Sequence, residues 1–66
     1  MTIYANDKPF NPKDQVTLPE FLANLGYTPG QVVVELNGQA LTPGELKETR
    51  LADQDRLEVV QIVAGG

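Results

Sequence analysis

Arg56-Leu57-Glu58-Val59-Val60-Gln61-Ile62-Val63 is the stretch that decides the fold. Its β-branched residues favour an extended strand. Leu57 and Val59 alternate with Glu58, Val60 and Ile62, so apolar side chains fall on both faces. Such a strand belongs in the middle of a sheet, with neighbours on either side. If Leu57 and Val59 face a covering helix, Val60 and Ile62 must point away from it.

The rest of the chain supplies the neighbours. Immediately upstream, Asp53-Gln54-Asp55 reads as a turn, and Leu51 is expected to plug the core. Thr42-Pro43-Gly44-Glu45 carries a Thr-x-x-Glu cap, which predicts a short helical turn through Leu46 to Glu48. Asn37-Gly38 is a tight-hairpin signal, because both central positions need positive φ. It joins a strand over Gln31 to Leu36 to a brief return strand, Gln39-Ala40-Leu41. Val32, Val34 and Leu36 share one face of the first; Val33 and Glu35 share the other.

Further out lies the main helix. Thr17-Leu18-Pro19-Glu20 predicts its start, with Thr17 as cap, Glu20 reaching back in a capping box and Pro19 in the first turn. Leu18, Phe21, Leu22 and Leu25 recur at helical spacing, and Gly26 fits the left-handed stop. At the amino end, Thr2-Ile3-Tyr4-Ala5 reads as a strand and Asn6-Asp7-Lys8-Pro9 as a turn. A short return strand is expected between Phe10 and Val16, near an edge because of its proline. The order is two strands, helix, two strands, short helical turn, strand. That is an α+β domain over residues 1–66, with a mixed sheet of four to five strands and one main helix packed on one face.

Composition narrows the function. The 66 residues contain no cysteine and no histidine. Serine is absent too. Disulfides, thiol nucleophiles, the commonest metal ligand and the commonest general base are therefore excluded. A domain of this size has no room for a deep substrate cavity. An enzyme is not expected; catalytic residues and metal ligands are none. The carboxylate pairs Asp53 with Asp55 and Glu45 with Glu48 fall in turn and cap contexts, not in a pocket that could separate their pKa values. The formal charge of −4 opposes nucleic-acid binding and suits a partner with a basic docking surface. No apolar run is long enough to span a membrane, and the amino end lacks the pattern of a signal peptide. A cytoplasmic protein is expected.

Two features remain for a function. Val60 and Ile62, with Tyr4 and Val33 on their side of the sheet, form an expected exposed apolar patch. Such patches mark interaction sites; packing under a loop or in a homodimer is the alternative. Beside the patch runs Val63-Ala64-Gly65-Gly66. Glycines let a backbone enter a narrow channel because no Cβ stands in the way. The Gly66 carboxylate is thus a candidate working group, although terminal glycines also occur in tails that only fray.

These residues, in order, resemble the ThiS family, the sulfur carrier proteins of thiamine biosynthesis, with the ubiquitin-like β-grasp fold. The likeness rests on Ile3 with Asn6, Thr17-Leu18-Pro19-Glu20-Phe21-Leu22, Leu25-Gly26, and Val32-Val33-Val34-Glu35-Leu36-Asn37-Gly38. It continues through Leu51-Ala52-Asp53-Gln54-Asp55-Arg56-Leu57-Glu58-Val59-Val60 to Val63-Ala64-Gly65-Gly66. The resemblance implies that an E1-like adenylating enzyme of the ThiF type uses ATP to convert the Gly66 carboxylate to an acyl-adenylate. Sulfur from a cysteine desulfurase then yields a terminal thiocarboxylate, which a thiazole synthase of the ThiG type accepts. The chain itself would bind no cofactor. Val63, Ala64, Gly65 and Gly66 would enter partner channels, and Tyr4, Val33, Val60 and Ile62 would dock the partners. Related carriers on the same fold serve molybdopterin synthesis, cysteine synthesis or tRNA thiolation, and a non-covalent interaction domain is the reading from another class. Two departures stand out, the first read as a turn variation and the second bearing on a partner contact and so on pathway identity. The family often has Asp-Gly-Asp where this chain has Asp53-Gln54-Asp55. It often has a basic residue near Thr42-Pro43-Gly44-Glu45.

Overall fold

The last strand, β5 (Arg56–Gln61), lies third in a five-stranded sheet. A computed structural model describes residues 1–62 of the chain. Strand β1 (Ile3–Ala5) runs parallel to β5 on one side, and β3 (Val32–Leu36) runs antiparallel on the other. Strands β2 (Lys8–Phe10) and β4 (Gln39–Ala40) form the outer edges, each hairpinned to its neighbour. Parallel β1 and β5 cannot be joined by a tight turn, and the whole intervening chain serves as their crossover.

Helix α1 (Leu18–Asn24) covers one sheet face. Leu18, Phe21 and Leu22 bury against Ile3, Ala5, Val32, Val34, Leu57 and Val59. These are the inward positions of three strands at a period of two, and they meet the apolar stripe of the helix. Phe10 and Phe21 close one end in an edge-to-face contact of 5.9 Å. The helix ends where Gly26 takes φ +90°. The Gly26 N–H donates to the Ala23 carbonyl and the Tyr27 N–H to the Leu22 carbonyl, so two of the orphan carbonyls are satisfied.

Helix α2 (Pro43–Glu48) and Leu51 complete the core through buried Leu46 and Leu51. Asn37 and Gly38 take φ of 51° and 85°, the conformation that a two-residue hairpin demands.

Several boundaries differ from the sequence reading. The first turn is confined to Asn6 and Asp7, and the return strand spans Lys8–Phe10 rather than the region from Phe10 to Val16. Two positive-φ residues reverse the chain at once, so pairing resumes at Lys8, and Pro9 sits harmlessly on an outer edge. Gln31 belongs to a 3-10 turn over Pro29–Gln31, and β4 stops at Ala40. The capping box expected at Thr17 is only half present. Thr17 Oγ1 accepts from the Glu20 N–H at 3.3 Å, while the Glu20 carboxylate lies 3.6 Å from Lys13 instead of turning back. The complete box is at Thr42, where both arms form, at 3.1 and 2.9 Å.

Candidate functional site

The helix leaves the other face of the sheet uncovered. Alternation along β5 puts Leu57 and Val59 into the core and Val60 and Ile62 outside. Val60 stands opposite Val33 on β3. The three are the large apolar side chains exposed among the described residues, at 62% for Val60, 55% for Ile62 and 47% for Val33. They form one cluster at the end of the sheet where β5 leaves it.

Tyr4 shares this face but not this cluster. It pairs with Arg56, at the opposite end of β5. Four residues separate Arg56 from Val60, roughly 13 Å along a strand. The Arg56 guanidinium lies 4.5 Å from the Tyr4 ring centroid, a cation–π contact that covers the aromatic face. Tyr4 and Arg56 thus make a second, polar-capped surface on the same side.

Glu35 and Glu58 lie between the two, directly opposite each other on β3 and β5. Like charges in a cross-strand pair destabilise a sheet. This acidic pair was not singled out in the sequence. Its signal needs the β3–β5 register, which composition alone does not supply.

Around the edge of the sheet, the apolar cluster continues into a groove of about 200 Å³, lined by Val33 and Ile62 together with Pro29, Leu41 and Leu46. At the exit of β5, two contacts hold the strand. The Ile62 N–H donates to the Gln31 carbonyl at 2.8 Å. On the other edge, the Asn6 side chain bonds both backbone groups of Val59. The tail residues singled out in the sequence, Val63, Ala64, Gly65 and Gly66, follow directly and lie outside the described residues.

Three carboxylates elsewhere hold backbone N–H groups. Asp53 accepts from the Thr2 N–H at 2.7 Å, which holds its carboxyl below the ordinary range. Glu45 is held low by the Thr42 N–H in the capping box. Asp55 accepts from the Ala52 N–H and from Asn37, tying the β3–β4 hairpin to the turn before β5. Among the described residues, no group of three or more acidic side chains is arranged to hold a metal ion. No helix there is long and apolar enough to cross a membrane.

The ThiS family model matches residues 1–66. The chain belongs to the ThiS family. This makes it, at family level, a small sulfur carrier of thiamine biosynthesis with the β-grasp fold. The crystal structure of the thiamine biosynthesis protein ThiS from Geobacter metallireducens superposes with a TM-score of 0.81 at 29% identity, with full coverage of both chains. The uncharacterized protein ycf40 of Pyropia yezoensis is 39% identical over 66 residues, which span 93% of its length. A thiazole synthase of Magnetococcus marinus is 35% identical over 66 residues. There the ThiS-like stretch makes up 20% of the longer protein.

Proposed function

We propose that this chain carries sulfur as a thiocarboxylate on Gly66. An E1-like enzyme of the ThiF type adenylates the Gly66 carboxylate with ATP, releasing pyrophosphate. A carboxylate is a poor acyl donor, and AMP supplies a good leaving group. The terminal sulfur of a persulfide derived from a cysteine desulfurase attacks the acyl carbon and expels AMP, and a partner thiol then reduces the resulting acyl disulfide, itself ending in a disulfide. The resulting thiocarboxylate gives its sulfur to a thiazole synthase of the ThiG type, and the carrier returns with a carboxylate. The chain is a co-substrate of both enzymes rather than a catalyst. We place this cycle in the cytoplasm, where ATP for activation is available.

The observation that carries this reading is the exposed cluster of Val60 and Ile62, with Val33 opposite on β3, where β5 leads directly to Val63-Ala64-Gly65-Gly66. A partner that grips the cluster holds the root of the tail. The neighbouring Glu35–Glu58 pair, unfavourable within the sheet, complements a basic docking surface. A ThiS-like stretch inside a thiazole synthase supports that enzyme as the acceptor.

Deleting Gly66 tests the assignment. The truncated chain is expected to keep its Tm yet support no ATP–pyrophosphate exchange with the host's adenylating enzyme. Exchange at the full-length rate would refute a terminal-carboxylate mechanism.

A further inference from the structure

Building on the carrier reading above, we propose that Asn6 is a positioning residue, whose carboxamide fixes the direction in which β5 hands over to the tail. Strand β1 pairs with β5 only through Ala5, and at Asn6 the backbone turns away with φ 51°. Its N–H still donates to the Leu57 carbonyl at 2.9 Å. The next rung of a parallel ladder would need an N–H and a C=O facing Val59, and β1 no longer offers them.

The Asn6 side chain takes their place. Its Oδ1 accepts from the Val59 N–H at 2.8 Å, and its Nδ2 donates to the Val59 carbonyl at 3.2 Å. A primary amide carries the same donor and acceptor as a peptide unit, so one side chain adds one rung to the sheet. On the opposite edge the last grip is the Ile62 N–H on the Gln31 carbonyl. Val59 and Ile62 are thereby held from opposite sides at the point where the tail begins. Four residues follow Ile62 and reach at most about 14 Å.

The contact is separable from the fold. Asn6 is exposed and contributes nothing to the apolar core. Its backbone bond to Leu57 does not involve the carboxamide. Glycine accepts φ 51° without strain, so Asn6→Gly removes the rung and little else. Asn6→Asp keeps an acceptor for the Val59 N–H but has no donor for the Val59 carbonyl. A looser exit must be ordered when a partner binds, and that cost falls on binding rather than on the bound complex.

The test is steady-state adenylation by the host's ThiF-type enzyme, with carrier concentration varied, far below the lowest Tm. Asn6→Gly is expected to raise the carrier KM on the order of tenfold, the scale of ordering one backbone residue, with kcat unchanged. Asn6→Asp falls between it and the native chain. The Val59 amide of Asn6→Gly exchanges with solvent faster, while the Val60 amide, on the β3 edge, keeps its protection. Val16→Ala, which opens a gap at a buried site outside β5, serves as the destabilised control, and its KM stays native. An unchanged KM in Asn6→Gly overturns the positioning role alone, as does an equal rise in Val16→Ala. Failure of the native chain itself to be adenylated overturns the carrier reading, and this role with it.

Discussion

Gln54 sits at φ 72°, in the left-handed region, at the middle of the turn before β5. A side chain there costs about 1–2 kcal/mol. Glycine would avoid that cost but lose about 0.5–1 kcal/mol to backbone entropy. The difference favours glycine by about 0.5–1 kcal/mol, and the Gln54 side chain returns only a 3.3 Å bond to exposed Asp53. Gln54→Gly should therefore raise Tm by about 2–8 °C, measured by thermal unfolding. The departure from the family's Asp-Gly-Asp is a matter of turn energetics, since the flanking bonds of Asp53 to Thr2 and of Asp55 to Ala52 and Asn37 are in place. Asp53 closes the amino end onto this turn, while Asn37 reaches the Arg56 N–H from the hairpin.

Two copies of Thr-x-x-Glu behave differently at the level of the helix. At Thr42 the carboxylate of Glu45 turns back onto the backbone; at Thr17 the carboxylate of Glu20 turns outward toward Lys13. The motif marks where each helix starts but leaves open whether the second arm closes. For Glu45 the closed arm has a pH signature. Its folded pKa is lowered by the Thr42 N–H, so the ionised form supports the fold. That support is complete above the ordinary carboxylate value of about 4.3 and disappears as pH falls through the lower folded value. Glu45→Gln cannot ionise, so its urea midpoint should fall less between about pH 5 and pH 3 than that of the native chain. Elements with a repeating apolar period were legible: α1, β3 and β5 stand where their stripes place them. The first hairpin was legible, but the bounds of its return strand were not, because Asn6 and Asp7 both adopt positive φ without a glycine to announce so tight a turn. The side of the sheet taken by Val33, Val60 and Ile62 followed from alternation. The separation of Tyr4 from that cluster did not, since it depends on the register of β1 against β5.

On the proposed reading, the two faces of β5 divide stability from recognition across the whole molecule. Leu57 is 1% exposed and Val60 62% exposed, although they lie three residues apart. Leu57→Ala should cost about 2–5 kcal/mol, enough to leave a domain of this size barely folded. Val60→Arg should leave Tm near the native value and weaken binding to the adenylating enzyme. A large loss of Tm in Val60→Arg, with binding intact in the folded fraction, would invert the assignment of faces. The central claim is that the chain is itself the sulfur-bearing substrate. Its most direct test is fragment-resolved intact mass spectrometry after incubation with ATP, a sulfide source and the host's ThiF-type enzyme, a known carrier being converted in parallel. Fragmentation is required because exchanging oxygen for sulfur is nearly isobaric with oxidation of Met1. Sulfur in place of oxygen on Gly66 is the predicted result. An unmodified Gly66 alongside a fully converted control would contradict it.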